Sequence, residues 1–105
     1  MAGGACELCG VKVEKLERHH LVPRVVIRRR RRRGQKDERD VAMPCTMICH
    51  TCHRMLHAHL DNGTLDRSYD SLERLREHPS IGRYLVWRKA HPKSGFIPRV
   101  RSPRW

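Results

Sequence analysis

Two Cys-x-x-Cys pairs, Cys6 with Cys9 and Cys49 with Cys52, constrain this chain more than any other feature. Zinc takes four thiolates in a tetrahedral shell, and two knuckles of matched spacing can supply all four. Such a fold must bring residues 49–52 back beside residues 6–9, with everything between them held as an insertion. A closed four-thiolate shell leaves no position for water, so this zinc is expected to be structural. Gly10, directly after the first pair, permits the tight turn a knuckle needs. Cys45 could compete as a ligand, but its place in an expected strand suits a small apolar residue.

The chain has reason to need a staple. It has 105 residues, 38% hydrophobic, with one Phe, two Tyr and two Trp. That is enough for one small domain, but one that packing alone stabilises marginally. The start, "MAGGACELCG", has no charged n-region and no apolar h-region. It does not read as a signal peptide, so reduced, metal-binding cysteines are expected rather than disulfides.

Lys plus Arg is 23 against 11 Asp plus Glu, a formal net charge of +12. That balance points to a nucleic-acid partner. A membrane is not expected: no apolar run approaches spanning length, and no basic amphipathic helix stands out.

Along the chain, "VKVEKLERHHLV" (11–22) and "VAMPCTMI" (41–48) read as extended, with Pro44 marking an edge or a bulge in the second. Between them the chain is dense in charge. "CHTCHRMLHAHL" (49–60) reads as a knuckle running into a helix that stops at "DNG" (61–63). A helix is expected over 70–78, with Asp70 as N-cap and Glu73 closing the box. Another is expected over 79–91, with Pro79 in its first turn and Ile81, Tyr84, Leu85 and Arg88 on one face beside Trp87. The tail (92–105) carries three prolines, four basic residues and no acid, and reads as a flexible arm. No internal repeat is visible.

Once four sulfurs hold zinc, the histidines are left for other work. His53 and His57 are one turn apart on the expected helix and face one way, as two imidazoles must to share a metal ion. His50 lies inside the knuckle and His59 is off that face. His19 and His20 are adjacent, so on a strand they point to opposite sides unless the backbone bends near Pro23. One of them can then be a metal ligand and the other a base, since imidazole titrates near neutrality.

"CELCG", "HHLVP" and "CHTCHRMLH", in that order, resemble the zinc-stapled branch of the HNH endonucleases. "YDSLERLREHPSIGRYLVW" is similar to the end of small bacterial stand-alone members. The resemblance implies an α+β fold: a small ββα-metal (HNH) core with a structural zinc knuckle over 1–62, its Arg-rich hairpin loop at 24–40. A helical extension of the same domain (63–91, two C-terminal helices) and the basic tail (92–105) follow.

Carried over by position, the resemblance makes His20 the general base. It makes His19, His53 and His57 the ligands of a catalytic divalent ion, and Cys6, Cys9, Cys49 and Cys52 the ligands of structural Zn²⁺. Mg²⁺ or Mn²⁺ is the expected catalytic ion, and an all-histidine site also suits Ni²⁺ or Zn²⁺. In one respect the chain departs from the family, whose central Asn precedes the second knuckle. The sole asparagine here is Asn62, beyond the expected helix, and "MPCT" (43–46) occupies that neighbourhood.

The implied activity is hydrolysis of DNA phosphodiesters, leaving 5′-phosphate and 3′-hydroxyl ends, with RNA still open as a substrate. Arg24 and the run Arg28, Arg29, Arg30, Arg31, Arg32 and Arg33 are expected to bind the phosphates. Arginine forks suit phosphate but read no sequence, so specificity should be weak. A charge run by itself is more simply a solvated surface block. The rival reading is a non-catalytic zinc-bound nucleic-acid module, or a subunit of a larger nuclease or phage assembly. A homodimer is also open. The expected setting is the cytoplasm, of bacterial or phage origin.

Overall fold

The chain begins by building its first knuckle. In the computed structural model, which describes residues 3–93, β1 (Gly4–Ala5) pairs antiparallel with β2 (Lys12–Val13). Cys6 to Gly10 form the turn between them: Gly10 N–H donates to Cys6 O at 2.8 Å, and Gly10 adopts φ +80°. Only glycine takes that conformation without steric cost.

β3 (Leu16–His20) then pairs antiparallel with β4 (Cys45–Cys49), running from Leu16 opposite Cys49 to His20 opposite Cys45. Alternation sends Glu17, His19, Thr46 and Ile48 to one face. Ile48, His19 and Thr46 are all buried there. Pro44 stands just before β4, where its missing N–H costs no ladder bond, and its carbonyl still accepts from Leu21 N–H at 2.9 Å.

The connection between these strands differs from expectation. Residues 24–40 are not a loop: they contain α1 (Arg24–Arg32) and the start of α2 (Glu38–Ala42). α1 begins after Pro23 and buries Val26 and Ile27. It ends at Gly34, whose φ of +69° is the left-handed stop. Its last turn holds Arg29 to Arg32, where cations complement the helix dipole.

One arginine of the run faces inward. Arg30 grips Asp40 through Nε at 2.9 Å and Nη2 at 2.6 Å, and Asp66 through Nη1 at 2.8 Å. Arg39 continues the network to Asp37, Asp66 and Asp70. These forks tie α1 and α2 to the helices that follow, so the charge run is folded by its own counter-ions.

α3 (His50–His59) starts in the second knuckle and buries Thr51, Cys52, Met55 and Leu56. α3 stops before "DNG", as expected, but a new helix starts there: Asp61 caps α4 (Asn62–Ser68) by accepting from Thr64 N–H at 2.7 Å. α5 (Leu72–Glu77) starts later than expected, and its cap is Ser71, not Asp70. Asp70 is taken by Arg39 and Arg74. α6 (Pro79–Ala90) has Pro79 in its first turn and buries Ile81, Tyr84, Leu85 and Arg88, as expected. Three helices therefore follow α3, where two were expected.

The architecture is α+β: two small antiparallel sheets and six helices among the described residues. Leu8, Leu16, Ile48, Met55, Leu56, Leu65, Leu75, Ile81 and Tyr84 pack around the four knuckle cysteines as one core. No described helix is long and apolar enough to cross a membrane. The arm expected over 92–105 lies outside the described residues from 94 onward.

Candidate metal centres and the cleft beside them

The two knuckles meet. Cys6, Cys9, Cys49 and Cys52 are all buried, and their sulfurs lie within 4.8 Å of one another, a set able to hold a metal ion such as zinc. Each knuckle comes from a different element: the β1–β2 turn, and the junction of β4 with α3. Cys9 N–H donates to Cys6 Sγ at 3.4 Å. The Tyr84 hydroxyl sits 3.3 Å from Cys52 Sγ, and Arg88 Nη2 lies 3.8 Å from Cys49 Sγ. α6 thus brings a donor and a positive charge to the sulfurs.

The thiols in this cluster cannot all ionise alone. Hydrogen bonds from Cys49, Cys52 and Cys9 hold the Cys6 thiol far below its usual range, while Cys49 and Cys6 hold Cys52 far above it. A dication removes that conflict by stabilising all four thiolates at once. Cys45 is outside the set and exposed at the start of β4.

The second cluster lies where β3 meets α3. His19, His53 and His57 place one ring nitrogen each within 4.8 Å of the others, with ring centroids 4.9–5.5 Å apart. His53 and His57 are one turn apart on α3, and His19 comes up from the sheet face beneath. His19 is 1% exposed, and neither of its ring nitrogens has a hydrogen-bond partner. A buried imidazole left so is costly unless something absent from the protein chain completes it. Burial, then the charges of His53, His57 and His20, lower its pKa to about 4, so it stands neutral with a lone pair to give. Three imidazoles at this spacing fit a divalent transition ion.

Glu17, two residues before His19 on the same sheet face, was not singled out from sequence. Its Oε1 accepts from His53 Nδ1 at 2.9 Å, and its Oε2 from His50 Nδ1 at 2.8 Å. Strand parity with His19 was the available signal.

His20 comes from the opposite strand face, yet it lines the same cleft of about 210 Å³ as His19, His53 and His57. Arg18, Pro23, Arg24, Val25 and Asn62 complete the wall. The bend after β3 lets both histidines border one space. Burial, then the neighbouring charges of Arg24, Arg18 and His53, lower the pKa of His20. Asn62 reaches the cleft because α4 starts directly after the turn that ends α3. Of the arginine run, Arg24 lines the cleft; Arg28, Arg31 and Arg32 line an adjoining surface; Arg29 and Arg33 are exposed; and Arg30 is held inside by Asp40 and Asp66.

No family model matches the chain, and no solved structure matches it. A curated relative does: the chain is 30% identical over 99 residues to the uncharacterized protein YisB of Bacillus subtilis (strain 168). The match covers 94% of this chain and 87% of that protein. Similarity at that level, over almost the whole of both chains, means that the chain belongs to the YisB family.

Proposed function

We propose that the protein is a metal-dependent endonuclease of the HNH type, hydrolysing DNA phosphodiesters with little sequence specificity. The observation that carries this reading is buried His19, both ring nitrogens unpartnered, meeting His53 and His57 at the wall of a cleft that also holds His20 and two arginines.

His19, His53 and His57 would hold the catalytic ion, Mg²⁺ or Mn²⁺, with Ni²⁺ or Zn²⁺ as chemically suited alternatives. When bound, the ion supplies charge stabilisation to the phosphoryl and leaving oxygens. Glu17 orients His53 by accepting the hydrogen bond of its Nδ1–H, as carboxylates behind metal-bound histidines do. His20 accepts the proton of the attacking water; its lowered pKa keeps it neutral and able to do so at physiological pH. Arg24 and Arg18 give the cleft a positive wall facing the diester. The four-cysteine zinc holds the fold and takes no part in the reaction.

A second reading, a non-catalytic zinc-bound nucleic-acid module or a subunit of a larger assembly, draws on one observation. Met43, Pro44, Cys45 and Thr46 occupy the neighbourhood in which the HNH family has its asparagine, and Thr46 buries its hydroxyl without a partner opposite His19. Against it, Pro44 O already ties the hairpin end to Leu21 N–H through backbone alone.

The test is incubation of supercoiled plasmid with the protein and its His20→Ala variant, with Mg²⁺, Mn²⁺, Ni²⁺ or EDTA. Metal-dependent nicking by the wild type, lost in a variant that still binds, is the expected result. Binding by both without cutting under any metal would assign the molecule to the second reading.

A further inference from the structure

We infer that the outward face of α1 is a backbone track for a nucleic-acid strand, running from the histidine cleft along the helix through Arg24, Arg28, Arg31 and Arg32. The inference rests on the proposed nuclease reading for where the cut falls, and on α1 for where the strand lies. At 100° per residue, these four arginines fall within an arc of about 100° on one side of the helix, with buried Val26 opposite and buried Ile27 flanking the arc. All four are exposed. Arg24 lines the cleft that holds His19, His53 and His57, while Arg28, Arg31 and Arg32 line the neighbouring concavity. Val25 borders both, so the two spaces adjoin.

The charge on this face has no counter-charge of its own. Among the described residues, no carboxylate lies within ion-pairing distance of Arg24, Arg28, Arg31 or Arg32, whereas Arg30 and Arg39 share Asp37, Asp40, Asp66 and Asp70. The remaining aspartate, Asp61, caps α4. Four of the five aspartates are thus gathered around Arg30 and Arg39, and although Arg31 also borders a concavity shared with Asp37, Glu38 and Asp40, the four exposed guanidiniums are left to repel one another until an anion arrives. A row of guanidiniums suits successive phosphates, each bound as a fork. Helical rise puts Arg28 about 6 Å and Arg32 about 12 Å beyond Arg24. That span equals about three to four nucleotides of a duplex strand. The contacted phosphates therefore lie to one side of the scissile phosphate, and the enzyme grips its substrate asymmetrically.

The test measures binding, separately from cutting. Anisotropy of a labelled duplex in EDTA, across a salt series, is compared for wild type, the triple variant Arg28→Ala/Arg31→Ala/Arg32→Ala, and a charge-matched control, Arg54→Ala/Arg83→Ala/Lys89→Ala. The control residues are exposed on α3 and α6. The triple variant should flatten the slope of log K against log salt by about 2–3, and the control by less than about 1. Circular dichroism and zinc content verify the fold. Should the triple variant not fold, the single variants Arg28→Gln and Arg31→Gln should each lower the slope by about 1. Equal loss in the triple variant and the control overturns the track, because net charge alone would then explain binding. Binding to anionic vesicles but not to duplex overturns it as well. If wild type cuts nothing under any metal while the slopes differ as stated, the nuclease reading fails and the track stands.

Discussion

Glu17 Oε1 accepts a hydrogen bond from His53 Nδ1 at 2.9 Å, which fixes the ring and leaves Nε2 as the nitrogen available to a metal. The same carboxylate takes His50 Nδ1 with its other oxygen, so it spans the first turn of α3. His53, then His50, hold the Glu17 pKa below its usual value, and the group stays charged. Glu17→Gln should therefore weaken binding of Mn²⁺ or Ni²⁺ at the three-histidine cluster by about 10–100-fold. Zinc in the four-cysteine cluster should be untouched. Titration calorimetry on zinc-loaded protein reads this directly, and an unchanged affinity would remove Glu17 from the metal site.

The four-cysteine centre makes a sharper prediction for stability. Cys52→Ser should abolish zinc retention and unfold the domain, because structural zinc of this kind supplies folding free energy outright. Cys45→Ser should keep about one zinc per chain and full helicity. Metal analysis with circular dichroism separates the two. Zinc loss from the Cys45 variant would mean that the exposed thiol is a ligand after all.

Ligand-bearing segments were legible from sequence, and the reason is local. Cys-x-x-Cys and the His53–His57 spacing state a geometry within one turn of chain, and the elements that carry them formed as expected. What was hidden depends on partners far apart. Arg30 belongs to a helix because Asp40 and Asp66, ten and thirty-six residues away, take its guanidinium. Without those partners the run reads as a solvated loop. Asn62 looked remote from the histidines because "DNG" reads as a stop, whereas Asp61 caps a new helix that carries Asn62 to the cleft. Asp70 lost its expected capping role because Arg39, from another helix, competes for its carboxylate.

The lowered pKa of His20 carries a kinetic consequence. Burial first, then Arg24, Arg18 and His53, disfavour its protonated form. If His20 is the base of the proposed nuclease, it acts when neutral, so the acid limb of the rate profile should fall at a pH below the ordinary imidazole value of about 6.5. A bound dication would push it lower still. Removing one of the neighbouring charges, by Arg18→Gln, should shift that limb upward. Plasmid nicking rates from about pH 5 to pH 8 measure it. A limb that does not move in Arg18→Gln would show that the titrating group is not His20.

Arg30 and Arg31 are neighbours in sequence with opposite fates, and a pair of variants should separate them. Arg30 is 14% exposed and bridges two aspartates; its removal leaves Asp40 and Asp66 desolvated without their main counter-ion. Arg30→Ala should cost about 3 kcal/mol, the scale for breaking one side of a buried pair. For a domain of this size that is a fall of about 10–20 °C in Tm. Arg31 is exposed and holds no carboxylate, so Arg31→Ala should move Tm by less than about 2 °C while weakening duplex binding at low salt. Thermal unfolding at fixed zinc, paired with the anisotropy series, gives both readings on each variant. Equal stability losses would mean that the run acts as one charged block, and that the division of α1 into an inner counter-ion face and an outer phosphate face is wrong.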